Sequence, residues 1–458
     1  MIESHQLKRE LGVWAAAAIV VGTVIGSGIF LVPSTMMRQV GSPLKVLGVF
    51  IAGGLLSLFG ALSYAELAAA MPEAGGEYVY LREAYGPLWG FLYGWTQMWV
   101  AKSGSIATLA TGFYIYLANF RPELGKIWVV TPLPFGEGGP PLPVRYGQLL
   151  AILVIAFLAL INYFGVRVGG NVQVATTLLK VGLIVAIIVI GFSSSAGNGA
   201  NFGTATQAPG GTLGFFAALV GALWAYDGWN NVTMVASEVR RPQRNLPLAL
   251  ILGTSSVIVI YVLINLAYFY VLPAGAVAAT DRVAAETLRR IAGAPGSAAV
   301  SVAAMISIFA ALNGSILSGS RVPFAMARDG LFFRGVERIH PVHRTPSVSI
   351  LVLNAWACLL VLSGRYDQLY TYVIFASAIL YGMATASVIV LRFRRPDMSR
   401  PYRALGYPWV PIAFIFGIGC LIISTLRSSP RESILGLLLI SLGLPFYFYW
   451  RRRGSALR

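Results

Sequence analysis

The chain has 458 residues, 57% of them hydrophobic and 11% charged, with a mean hydropathy of +0.73. Soluble domains run nearer 45–50% apolar and about 25% charged, so an assembly of soluble domains is excluded. The net charge of +17 does not mark a nucleic-acid partner, because the basic residues fall in clusters separated by apolar stretches.

Those stretches, each about 20 residues or longer, can cross a hydrocarbon core of roughly 30 Å. They predict an all-α polytopic membrane protein with about twelve transmembrane helices. In chain order the expected spans are 12–39, 43–70, 86–118, 146–163, 168–192, 211–237, 247–272, 296–327, 347–363, 366–393, 408–426 and 431–450. The first apolar run, from about residue 12, continues into a glycine-broken segment instead of ending at an A-x-A site, so no cleavable leader is expected. The connection at 120–145 is rich in Pro and Gly and holds no second domain. Residues 280–292, with Glu286, Arg289 and Arg290, form an expected short amphipathic helix over the outer face.

The basic clusters fix an orientation. Arg240, Arg241 and Arg244 form one, and Arg321, Arg328, Arg334, Arg338 and Arg344 a second. Arg392, Arg394, Arg395, Arg400 and Arg403 form a third, and Arg451, Arg452 and Arg453 close the chain. They occupy alternate connections, as the positive-inside rule requires. Both termini are therefore expected in the cytoplasm, with the chain in the inner (plasma) membrane and in contact with anionic lipid.

Two spans are interrupted. The first carries Gly22-Thr-Val-Ile-Gly26-Ser-Gly28-Ile-Phe30, and the sixth carries Trp224-Ala-Tyr-Asp227-Gly228-Trp-Asn-Asn231. Gly, Asp and Asn are poor helix formers, and clustered in mid-span they favour local unwinding. Gly22-x-x-x-Gly26 also fits close helix packing. Unwound backbone in a bilayer must line a cavity or be buried in protein. Two such breaks five helices apart fit a transporter built on an inverted repeat, with its site between them.

A zwitterion in a dry site needs compensation at both ends. The N–H groups of Ser27, Gly28 and Ile29, opening the second half of the first span, suit a carboxylate, and glycine at 26 and 28 allows close approach. Carbonyls around Thr23 and Val24, and around Trp224, Ala225, Tyr226 and Asp227, suit an ammonium. Asp227 is a mid-span carboxylate and hence a functional candidate; it can bond the unwound backbone, face a substrate amine or exchange a proton. Lys180 and Lys102 are the two lysines placed inside spans. Asn230, Asn231 and Asn313 serve either as cavity lining or as interhelical hydrogen bonds. Glu66, Glu238 and Arg321 fall near span ends, where inner-gate ion pairs or solvated charge are the alternatives.

The runs VGTVIGSGIFLVPS at 21–34, YAELAAAMPEAGGEYVYLREAYG at 64–86, WAYDGWNNVTMVASEVRRPQRNLP at 224–247 and NGSILSGSRVPFAMARDGLF at 313–332 resemble the amino acid–polyamine–organocation superfamily. The likeness is to its L-type amino acid transporter branch, and within it to bacterial serine/threonine exchangers. It implies a leucine-transporter-like fold in one domain, 1–458. The expected parts are a first repeat of five helices at 11–193, an inverted second at 210–394, and two further helices with a tail at 395–458. It implies Trp224 as an aromatic gate. It also implies Lys180 as a tethered substitute for a coupling cation, bonding carbonyls near Gly22 or Val24 of the first span, with Ser307 and Ser315 as further partners; Ala311 departs from the serine common in relatives.

The function expected is sodium-independent amino acid transport by alternating access, exchanging small or medium neutral amino acids. The alternative is proton-coupled uptake of amino acids or polyamines through Lys180 or Asp227. An enzyme is not expected: the chain has no HExxH, no GxSxG near a histidine and no intramembrane histidine. His5, His340 and His343 suggest no metal cluster, and no cofactor is expected. Cys358 and Cys420 lie within apolar stretches, so no disulfide-linked heavy chain is expected.

Overall fold

The computed structural model describes residues 7–131, 142–363, 366–428 and 430–455. The first span is two helices, α1 (Val13–Val24) and α2 (Gly28–Val40), followed by α3 (Pro43–Ala70). Pro43 opens α3, where its missing N–H costs nothing. A short α4 (Glu77–Tyr85) leads into α5 (Pro87–Thr96), which continues through a π-helical turn at Gln97–Ala101 into α6 (Lys102–Leu117). The connection expected as plain loop holds an antiparallel hairpin, β1 (Ile127–Thr131) with β2 (Leu142–Arg145), registered Thr131 to Leu142; the remainder of that loop, 132–141, lies outside the described residues.

Next come α7 (Tyr146–Tyr163), α8 (Val166–Ser193), α9 (Gly211–Tyr226), a four-residue α10 (Asn231–Met234) and α11 (Pro242–Val271). After α12 (Ala274–Ala279), α13 (Val283–Gly319) has a break at Ala292 and Gly293, where Gly293 takes φ 65°. The amphipathic segment expected at 280–292 is therefore the arm of α13 that precedes this break. The chain closes with α14 (Arg321–Arg328), α15 (Ser347–Ser363), α16 (Tyr366–Arg394), α17 (Trp409–Ser428), α18 (Pro430–Ser441) and α19 (Gly443–Ser455). Among the described residues nine helices are long and apolar enough to cross a membrane, and Gly211–Tyr226 and Ser347–Leu362 are shorter apolar helices.

The outward faces of α7 and α8 expose Leu153, Phe157, Leu178 and Val189. So large an apolar surface belongs against lipid rather than water. The interior is centred on α1, which packs against α8, α11 and α13. Small residues set its approach: a Cβ on Gly22 would come within 2.0 Å of the Gln173 amide on α8, and one on Gly253 of α11 within 2.7 Å of Val20. Gly22 thus serves helix packing, while the break begins three residues beyond it, at Ile25.

Candidate functional site

The break in the first span runs from Ile25 to Ser27. Ile25 leaves the helical region at ψ 84°, and α2 restarts at Gly28. In the sixth span α9 ends at Asp227, whose ψ of 141° is extended, and Gly228 takes φ +104°. That left-handed value is one glycine adopts without strain. The two breaks touch. A Cβ on Gly28 would lie 2.6 Å from the Ala225 Cα, and one on Gly228 would lie 3.0 Å from the Thr23 side chain. The Thr23 hydroxyl stands 2.9 Å from the Gly228 carbonyl and 2.5 Å from that of Ile19.

Tyr261 of α11 completes the junction. Its hydroxyl lies 2.9 Å from both the Val24 and the Ala225 carbonyl oxygens, one from each break. No local motif marks this tyrosine within its long apolar run, so sequence reading passes over it. Tyr261→Phe removes the one hydroxyl proton that these two buried carbonyls share, at a cost of about 1–3 kcal/mol. The expected result is a lower unfolding temperature together with reduced transport; a variant matching wild type in both would remove the tyrosine from the junction's support.

A cavity opens between the breaks. Thr23, Val24, Gly26, Ser27 and Gly28 line it from the first span, Trp224 and Asp227 from the sixth, Ser105 and Leu109 from α6, and Ser315 from α13. It presents backbone groups and short polar side chains, as expected of a site for a small polar solute. The side chains of Ile29, Ala225 and Tyr226 are not part of this wall. The Tyr226 ring packs 5.0 Å from that of Tyr261 and 6.4 Å from that of Phe50. Ser105 and Leu109 were not singled out from sequence, because α6 carries no helix-breaking signal there.

Asp227 accepts a hydrogen bond from the Tyr381 hydroxyl at 3.2 Å and one from the Gly228 backbone. It also borders a second, largely apolar cavity shared by Trp229, Tyr381 and Phe414. The carboxylate therefore supports the end of α9 while facing both spaces.

Lys180 of α8 is fully buried. Its ammonium donates to the Gly22 carbonyl at 2.5 Å and to the Ile25 carbonyl at 2.6 Å. Ser307 of α13 donates to the same Ile25 carbonyl at 3.0 Å. The partners expected from sequence were Gly22 or Val24, with Ser307 and Ser315. Ile25 takes the place of Val24, whose carbonyl meets Tyr261, and Ser315 faces the cavity. Lys102, to which sequence assigned no task, donates to Asn231 at 2.6 Å. Asn313 bonds Gly169 at 3.2 Å and Gln173 at 2.9 Å and accepts from Asn162 at 2.9 Å. It is interhelical glue, not cavity lining.

The span-end charges pair. Arg321 meets Glu238 through two bonds of 2.8 and 3.0 Å, both side chains fully buried. Glu66 receives Arg392 at 2.6 and 3.0 Å and the Ala404 backbone N–H at 2.7 Å.

A lipid-facing helical bundle closed around two broken helices, with a polar cavity between the breaks, is a membrane transporter. The amino acid permease family model matches residues 11–433. The serine/threonine exchanger SteT of Bacillus subtilis is 34% identical over 457 residues, covering 99% of both chains. The mouse b(0,+)-type amino acid transporter 1 is 32% identical, with 98% of this chain and 89% of its own covered. The human cystine/glutamate transporter is 30% identical, with 97% and 86% covered. The chain belongs to the amino acid permease family, whose members and relatives are transporters and not enzymes. The resemblance read from the four sequence runs is borne out.

Proposed function

We propose that the chain is a sodium-independent exchanger of small or medium neutral amino acids, working by alternating access in the inner (plasma) membrane with both termini cytoplasmic. The observation that carries this reading is the buried Lys180 ammonium on the Gly22 and Ile25 carbonyls. It supplies at the break the positive charge that a sodium ion would otherwise have to bring. The serine/threonine exchanger covered end to end supports exchange and a small neutral substrate. In this reading the two breaks belong to an inverted pair of five-helix repeats, 11–193 and 210–394, with residues 395–458 added.

The substrate carboxylate sits on the N–H groups of Ser27, Gly28 and Ile29, at the positive end of α2. The ammonium faces the carbonyls of Thr23, Val24 and the Trp224–Asp227 turn, with Asp227 nearby. Ser105, Leu109 and Ser315 leave room for a short side chain. Trp224, 5% exposed and on the cavity wall, closes over it. Trp224→Ala is expected to raise the apparent KM about tenfold, the loss of a large ring from a desolvated contact, with the fold intact. Unchanged KM and turnover would remove its gate role. A proton-coupled permease for amino acids or polyamines is the second reading, favoured by the Asp227 carboxylate on the cavity wall. Uptake of labelled serine into liposomes with and without internal serine separates the two.

A further inference from the structure

The sixth span resumes after its break as α10, only four residues long. A helix so short has no stability of its own, so its position is set by what grips it. Two groups from outside the cavity do so. On one side the Lys102 ammonium of α6 donates to Asn231 at 2.6 Å. On the other, Glu77 at the start of α4 accepts from the Asn230 side chain, and its second oxygen accepts from the Tyr93 hydroxyl at 2.9 Å. Glu77, Lys102, Asn230 and Asn231 are all buried.

The surrounding backbone is shaped to this grip. The Gly75 N–H donates to the Met234 carbonyl at 3.0 Å. Gly76 takes φ +56°, and a Cβ there would lie 2.5 Å from the Thr233 hydroxyl. On the opposite side, a Cβ on Gly319 of α13 would lie 2.3 Å from the Lys102 Cγ. The bare glycine is what lets the lysine chain pass. The run MPEAGGEY at 71–78, which the cavity itself does not use, thus has its counterpart in α10.

We propose that Lys102 and the Gly75–Gly76–Glu77 turn are the two jaws of a clamp that holds α10 shut beneath the substrate cavity. Their release is the step that opens the cavity toward the arginine-rich face. Both are positioning elements: neither lines the cavity, and each acts through an asparagine at the start of α10, Lys102 through Asn231 and Glu77 through the preceding Asn230. The Glu238–Arg321 pair, immediately after α10, closes the same face further out.

The test is hydrogen–deuterium exchange of full-length purified protein, followed across the peptide 231–239, for wild type, Lys102→Gln and Glu77→Gln. Loss of one charge-assisted bond at each jaw is expected to speed exchange there about tenfold, with α7, α8 and α11 exchanging as in wild type. Gly319→Ala, which displaces the lysine chain without altering charge, should reproduce Lys102→Gln. In liposomes the same variants should raise the apparent KM for labelled serine on the outer face and lower it on the arginine-rich face, because they shift the population between the two openings. Unchanged exchange at 231–239, uniform acceleration across the chain, or KM moving the same way on both faces would overturn the clamp. If Lys102→Gln cannot be extracted, Gly76→Ala, outside the spans, is read in the same way. The exchange measurement needs no substrate, so failure of serine uptake alone counts against the proposed function and not against the clamp.

Discussion

Lys180→Ala is expected to lower transport at least tenfold in liposomes while the protein remains extractable and monodisperse. The ammonium makes two hydrogen bonds to carbonyls that the break has released from helix pairing. A hydrogen bond to a charged group contributes about 1.5–3 kcal/mol, so each lost bond corresponds to roughly a ten- to hundredfold change in an equilibrium. Ser307 still donates to Ile25 in the variant, but the Gly22 carbonyl loses this donor in a dry interior. The loss falls on the geometry of the break, and so on transport, more than on the global fold, which is carried by the packing of α1 against α8, α11 and α13. Transport at the wild-type rate in Lys180→Ala would remove the lysine from the mechanism.

The second large effect is on stability. Glu238→Gln keeps one neutral acceptor but leaves the fully buried Arg321 guanidinium without a counter-charge, held otherwise by the Leu317 carbonyl and the Ser320 hydroxyl. Breaking a buried pair from one side costs about 3–5 kcal/mol, whereas replacing both partners by apolar groups of similar volume is often neutral. Thermal unfolding in detergent should therefore show a marked drop for Glu238→Gln and for Arg321→Met alone. The double variant, Glu238→Leu with Arg321→Met, should recover most of it. Additive losses in the double variant would show that the two residues act independently.

The elements of this fold are legible from sequence to the degree that hydrophobic runs and helix breakers write them. Both interruptions, at Ile25–Ser27 and at Asp227–Asn230, follow from glycine and short polar residues in the middle of apolar runs. The ends of α3, α7 and α8 follow from Pro, Gly and charge. The β1–β2 hairpin did not show, because Ile127–Thr131 and Leu142–Arg145 are short and flank a Pro/Gly-rich stretch that offers no alternation to read. At the site, Lys180 could be singled out because a lysine in a dry span demands a partner. Its actual acceptor, Ile25, could not be distinguished from Val24, since the choice depends on how the chain turns after α1. Tyr261 and Ser105 carry no such anomaly in sequence: a tyrosine and a serine are unremarked in any span, and only the three-dimensional junction gives them work. The direction of the Tyr226 ring is not legible in sequence either. It lies next to Asp227 in sequence, but the last turn of α9 points its ring toward α3 and α11.

Glu66 and Arg392 show a further limit. Sequence placed Glu66 near a span end but gave no means of choosing its partner among many arginines. In the fold the arginine of α16 reaches it, with Arg400 3.4 Å away. This ties the end of α3 to the connection between α16 and α17. Such pairs come from topology, which brings together residues more than 300 positions apart.

The most direct measurement is uptake of labelled serine by the purified protein in sodium-free liposomes, with internal serine present or absent and with or without an inward proton gradient. An exchanger with a fixed ammonium at Lys180 gives uptake that requires internal serine and is indifferent to the gradient. Uptake into empty vesicles driven by external acid would contradict it and assign the chain to proton-coupled permeases, with Lys180 or Asp227 as the group that carries the proton.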